Sequence, residues 1–132
     1  MIIIDSNIWI FSENTNVAEH EAAARKVKET IDSDTFGINT IIASEAYHIL
    51  SKYIGSKDAG HRITDILEHP LSQWLDFTAE MVSDAIKLAY SSSMRINDAL
   101  IAQQALKLRA TVLTDNVRDF KKVKGLEIIP LR

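Results

Sequence analysis

Three acids stand where a carboxylate is costly. Asp5 closes the wholly apolar run Met1-Ile2-Ile3-Ile4, and Glu45 shares a helical face with Ile41, Ile42, His48 and Ile49. Asp98 opens the stripe Ile101, Ala102, Ala105 and Arg109. Each has a plain structural account as well: Asp5 can cap the next helix, and Asp98 suits the positive end of its own helix dipole. Buried carboxylates are nonetheless rare unless paired or bound to metal. A fourth, Asp115, ends a second apolar run, Ala110-Thr111-Val112-Leu113-Thr114. Like charges brought together repel unless a cation joins them. An oxygen-only donor set, with no cysteine and no histidine pair at ligand spacing, suits Mg2+ or Mn2+. Such ions activate water beside phosphorus, so the chemistry implied is phosphodiester hydrolysis.

The elements that must carry these acids follow from periodicity. The Ile run at the N-terminus, without alternation, predicts a strand buried on both faces, with Ser6-Asn7 turning into Ile8-Trp9-Ile10-Phe11. Residues 18–33 predict an amphipathic helix whose apolar line is Val17, Ala24, Val27 and Ile31. A brief strand at Phe36-Gly37-Ile38 leads to Asn39-Thr40, a cap for a helix from Ile41 to about Tyr53 that bears Glu45. Residues 58–68 predict another helix, with Ala59, Ile63, Ile66 and Leu67 inward, and residues 73–77 alternate as a strand. Thr78 caps a helix whose face is Val82, Ala85, Ile86 and Ala89, broken at Ser91-Ser92-Ser93. Asn97 is the expected N-cap of the Asp98 helix. After the strand ending at Thr114 come a short turn or helix, Asn116 to Phe120, and a last strand, Leu126 to Ile129.

Strands alternating with helices predict one α/β domain over residues 1–132. Its parallel sheet of about five short strands would have right-handed crossovers. Ligands of such sheets lie at the carboxyl ends of the strands, where Asp5 and Asp115 both stand. Composition narrows the class further. Hydrophobic residues make up 46%, enough for a real core, and no apolar run reaches membrane-spanning length. The expectation is a soluble, cytoplasmic protein with no membrane partner. The net charge is −3, yet residues 95–132 hold 8 Lys/Arg against 4 Asp/Glu. That basic third, beside clustered acids, can hold a polyanion near a metal, although a solvated helix face explains any single lysine equally well.

Rival motifs fail. The sequence has no glycine-rich phosphate loop and no G-x-G-x-x-G. Asp5-Ser6-Asn7 lacks the second Asp of aspartate-nucleophile phosphatases, and the one Glu45-Ala46-Tyr47-His48 has no second copy for a di-iron bundle.

Four blocks in order, the strand ending Asp5-Ser6-Asn7, Ile41-Ile42-Ala43-Ser44-Glu45, Asn97-Asp98-Ala99-Leu100-Ile101-Ala102 and Val112-Leu113-Thr114-Asp115-Asn116-Val117-Arg118-Asp119-Phe120, resemble a PIN domain. The small size and the last block are most similar to VapC-type toxins of toxin–antitoxin pairs. The resemblance covers essentially the whole chain. It implies a three-layer α/β/α fold and a Mg2+- or Mn2+-dependent endoribonuclease acting on RNA, as the toxin of a type II pair. It implies a homodimer silenced by a cognate antitoxin, and the apolar positions on the helices of residues 40–68 also suggest pairing. Asp5, Glu45 and Asp98 match the family's acids, with Asp5 and Asp98 the foremost direct metal ligands and Glu45 a further metal-ligand candidate. The family's next acid falls on Asn116, so Asp115, Asn116 and Asp119 stay open as the fourth site residue, with Asp115 also a metal-ligand candidate. Ser6, Asn7, Thr114 and Asn116 are placed to orient ligands or water, and Arg95 and Arg118 to meet phosphate. Lys121 and Lys122 extend that basic surface. The alternative is a PIN module with weak catalysis that binds RNA or protein.

Overall fold

The computed structural model describes residues 1–132. In chain order the elements are β1 (Ile2–Ile4), α1 (Ser6–Glu13), α2 (His20–Ser33), β2 (Phe36–Ile38), α3 (Thr40–Ile54) and α4 (Ser56–Leu67). Then come β3 (Ser72–Trp74), α5 (Ala79–Ser92), α6 (Ile96–Leu108), β4 (Thr111–Thr114), α7 (Val117–Phe120) and β5 (Ile128–Pro130). The five strands form one sheet in the order β3-β2-β1-β4-β5, every pair parallel. Helices flank this sheet, giving the α/β/α arrangement that strand–helix alternation predicts.

The Ile run forms the central strand because each of its side chains has a buried face to fill. Ile3 and Ile4 are fully buried, as are Phe36, Val112 and Leu113 on the neighbouring strands. Burying each such side chain contributes about 1.5–3 kcal/mol. From β1 the chain winds outward through β2 and β3, then returns to lay β4 on the other side of β1. The gap between β1 and β4 is therefore the topological switch point. In open α/β sheets the ligand crevice lies at such a point, beyond the carboxyl ends of the strands.

Helix α3 packs on α1 and α4, whereas α6 packs on α5. Gly55, at φ 89°, links α3 to α4 in a conformation that a side chain would strain. No helix is long and apolar enough to cross a membrane.

Several details differ from the sequence reading. Helix α6 starts at Ile96, with Arg95 as its N-cap, so Asn97 lies inside the first turn and does not cap. The buried stripe of α3 is Ile42, Ala46 and Leu50, one position round from the expected face; Glu45 sits half-buried at its edge, with His48 and Ile49 exposed. In α5 the core takes Met81 and Ala85, leaving Val82 and Ile86 exposed. Two adjacent apolar rows run along that helix, and periodicity alone cannot choose between them. Leu67 is likewise exposed, not inward. Strand β3 ends at Trp74, short of the expected Phe77, and β5 begins two residues later than Leu126.

Candidate active site

Asp5 does both of the things its position allows. Its backbone is extended where β1 ends, and its Oδ1 accepts from the Ser6 N–H at 2.8 Å, capping α1. Its Oδ2 accepts from the Thr114 hydroxyl at 2.7 Å, across the β1–β4 gap. The register explains this contact: Ile4 pairs with Leu113, so Asp5 and Thr114 are level and share a face. Asp5 is 3% exposed. Burial pushes its carboxyl up to about 6. The bonds from Thr114 and Ser6 oppose that rise, while the charges of Asp98 and Glu45 add to it.

Glu45 reaches the same crevice from α3. The Ser6 hydroxyl stands between it and Asp5, 3.5 Å from Glu45 Oε1 and 3.5 Å from Asp5 Oδ1, both long contacts. Asp98 arrives from the first turn of α6 and is buried. Burial raises its carboxyl; Arg95 opposes the rise, and Glu45 and Asp119 reinforce it. Thus the three expected acids, from three separate elements, lie within electrostatic reach of one another, with no cation among the hydrogen-bond partners of Asp5 or Asp98.

The residues after β4 divide. Asn116 donates its backbone N–H to Thr114 Oγ1 at 2.9 Å. Its side-chain amide nitrogen lies 3.2 Å from Asp98 Oδ2 and 3.0 Å from Asp119 Oδ2, donating to both. Asp119 thereby joins the acid group. The Asn116 bond, then the bond from Lys122, hold its carboxyl below the usual range. Asp115 pairs elsewhere: Arg132, itself largely exposed, donates to both its oxygens, at 3.3 and 3.1 Å. Asn7 accepts from the Asp115 backbone N–H at 3.3 Å, tying α1 to the end of β4. Arg95, Arg118 and Lys121 are exposed at this rim, and Lys122 is 3.2 Å from Asp119.

The donor set fits a hard divalent cation in type and charge, because buried oxygens without a cationic partner are what such an ion satisfies. As they stand, however, no three His, Asp or Glu side chains are gathered closely enough to hold one. The largest cavity is elsewhere. About 530 Å3 in volume, it lies among α1, α2 and α4, between residues such as Trp9, Phe36, Ile66 and His69, and contains none of these acids.

Sequence reasoning missed Asn39 and Gln104 as a pair. Both are fully buried and hydrogen-bonded to each other at 2.7 Å. Asn39 was legible only as a cap, and a glutamine in a helix announces nothing.

The PIN domain family model matches residues 2–126. Comparison with curated proteins gives no match. Among solved structures, VapC20 of Mycobacterium tuberculosis, a toxin that cleaves the sarcin–ricin loop, superposes with a TM-score of 0.80 at 15% identity, covering 98% of this chain and 100% of that one. VapBC2 of Rickettsia felis, bound to a fragment of its promoter DNA, gives 0.77 at 21% identity, with 98% of each chain covered. VapBC-1 of nontypeable Haemophilus influenzae gives 0.74 at 21% identity, covering 99% and 98%. At these identities the likeness is one of fold.

Proposed function

The chain belongs to the PIN domain family, and from that premise we propose that it is a divalent-metal-dependent endoribonuclease, the toxin of a type II toxin–antitoxin pair. The observation that carries this reading is the meeting of Asp5, Glu45 and Asp98 at one site, close enough to raise one another's carboxyls, with no hydrogen bond from a cation to Asp5 or Asp98. Asp5 and Asp98 would hold a Mg2+ or Mn2+ ion, with Glu45 and Asp119 beside them and Asp115 outside. Such an ion would make a water easier to deprotonate, and so a better nucleophile towards phosphorus, and would neutralise charge on the phosphate.

The protein's own groups do the rest. Thr114 and the Ser6 N–H fix the Asp5 carboxylate through both oxygens. Glu45, half-buried and facing the Ser6 hydroxyl, accepts a proton from water. Asn116 spaces Asp98 from Asp119. Arg95, Arg118 and Lys121 hold the RNA backbone from the exposed rim, a contact that weakens with salt.

Two partners belong to this reading. An antitoxin is proposed on the toxin–antitoxin complexes among the fold neighbours. A homodimer is proposed on the exposed apolar side chains Tyr47, Ile49 and Tyr53 of α3.

A second reading, a PIN module that binds with little catalysis, is favoured by one observation: Asn116 stands between Asp98 and Asp119 without adding a charge. Cleavage of RNA titrated with Mg2+ or Mn2+ separates the two. The first reading requires cleavage that a chelator stops and the ion restores; RNA binding without cleavage at any ion concentration supports the second.

A further inference from the structure

Glu45 and Asp98 ride on helices that belong to different packed groups, α3 with α1 and α4, and α6 with α5. Something must fix one group against the other if the two carboxylates are to serve one ion. Beyond the acids themselves, the two helices are joined by a buried hydrogen bond between residues 65 apart, Asn39 Nδ2 to Gln104 Oε1 at 2.7 Å.

The direction of this bond is set from both ends. Asn39 Oδ1 accepts the Ile42 N–H at 2.9 Å, capping α3, so its amide nitrogen must face Gln104. Gln104 then presents oxygen to Asn39 and donates its Nε2 to the Asp76 carbonyl at 3.1 Å, just beyond β3. The chain therefore runs from a helix N-terminus through two side-chain amides to a backbone carbonyl. Asn39 and Gln104 are both 0% exposed. In so dry a setting a polar pair is costly unless it is hydrogen-bonded, and here each amide oxygen and nitrogen has a partner. An apolar pair would fill the same space with no need for partners, so the amides supply a defined distance that packing alone would not.

We propose that the Asn39–Gln104 pair is a strut that positions Glu45 against Asp98, making both amides positioning residues for the active site. This rests on the metal-nuclease reading above. Neither residue touches the acids; each acts through the start of its partner's helix group. Glu45 lies less than two turns from the cap that Asn39 forms, and Asp98 lies less than two turns from Gln104 on α6.

The two ends of the strut can be broken separately. Asn39→Ser keeps a side chain that caps about as well but cannot reach Gln104. Gln104→Met keeps helix propensity and bulk but leaves Asn39 Nδ2 and the Asp76 carbonyl unpaired. Mn2+ titration of the folded proteins, RNA cleavage resolved into kcat and KM, and thermal melts are measured for both variants, their double mutant and Asp98→Asn. The strut predicts that each single variant stays folded and loses about tenfold in Mn2+ affinity and in kcat, the loss typical of outer partners of a metal site, with KM unchanged. The double mutant should lose no more than the worse single, since both variants break the same Asn39–Gln104 bond. Variants that melt earlier yet bind Mn2+ and turn over like wild type make the pair structural only and overturn the proposal. Additive losses overturn it as well. Wild-type Mn2+ affinity that Asp98→Asn leaves unaltered takes down the metal reading and the strut with it; affinity that depends on Asp98 but not on the strut takes down the strut alone.

Discussion

Asp5 and Asp115 end adjacent parallel strands at the same edge of the sheet, and their fates are opposite. Asp5 is 3% exposed, fixed through both oxygens and surrounded by other acids. Asp115 is turned outward into an ion pair with Arg132. The difference is one residue of register. Ile4 pairs with Leu113, so Thr114 is level with Asp5, and Asp115 lies one step further along. Successive side chains point to opposite sides of a strand, so the acid that follows Thr114 leaves the crevice that Thr114 enters. A strand that ends in an acid thus contributes that acid only when its parity is right. In β4 the crevice receives the hydroxyl instead, and Asp119, a helical turn later, is linked to Asp98 through the Asn116 amide.

The largest expected effect sharpens this contrast. Asp5→Asn should suppress metal-dependent RNA cleavage by orders of magnitude, because a charged ligand is lost. Asp115→Asn should leave cleavage unchanged and shift stability by no more than about 1 kcal/mol, the scale of its ion pair with Arg132. Equal losses in a side-by-side cleavage assay would erase the distinction.

Next comes the hydroxyl that takes the place of an acid. Thr114→Val leaves Asp5 Oδ2 and the Asn116 N–H without a partner. The expected cost is about 1–3 kcal/mol per buried group in denaturant titration. Cleavage should fall about ten- to a hundredfold. A variant as stable and active as wild type would mean that Asp5 is held by packing alone.

The third effect is a pH dependence. The Asp5 carboxyl, raised on folding from 3.8 to about 6, takes up a proton that the unfolded chain would release. Its ionisation therefore opposes folding. Metal-free stability from this group is greatest below pH 3.8 and falls as pH climbs towards 6, by roughly 3 kcal/mol in all. Asp98, also raised, works in the same direction. The lowered acid Asp119 works in the opposite sense, its contribution being lost only as pH falls below the ordinary carboxylate range. Metal-free Asp5→Asn should accordingly be more stable than wild type at pH 7, with a flatter slope between pH 4 and 6. Parallel slopes in urea titrations across that window would contradict the buried, repelling carboxylate.

The smallest effect is at Arg132. Its own side chain is largely exposed, and such surface pairs contribute about 0–1 kcal/mol. Arg132→Ala should move the melt by no more than that and leave cleavage intact. A marked change in activity would show that Asp115, once released, competes for the site.

The same parity argument says what was legible in the sequence. Asp5, Glu45 and Asp98 were readable because each is an acid set in an apolar local pattern, and local pattern is what a sequence displays. Strand–helix alternation gave the parallel sheet for the same reason. The outward turn of Asp115 was not readable, since it depends on how β4 registers against a strand more than a hundred residues earlier. Nor was the core-facing row of α5, where Val82 and Ile86 compete with Met81 and Ala85 on equal terms. Helix α6 begins at Ile96, with Arg95 in the cap position, although Asn97 is the better cap by propensity, a weak preference that tertiary context overrides. The Asn39–Gln104 bond was silent because neither residue departs from its ordinary local role.

The central claim, that carboxylates meet at the β1–β4 switch point to hold a divalent ion, is tested most directly by melting wild type and Asp98→Asn with and without Mn2+. Removing one of several crowded carboxylates relieves repulsion in the metal-free protein and deletes a ligand in the loaded one. The account predicts that Asp98→Asn melts at or above the wild-type temperature without Mn2+, and that Mn2+ raises the melting point of wild type but not of the variant. An equal Mn2+ shift in both proteins, or a variant that has lost its fold before Mn2+ is added, would contradict it.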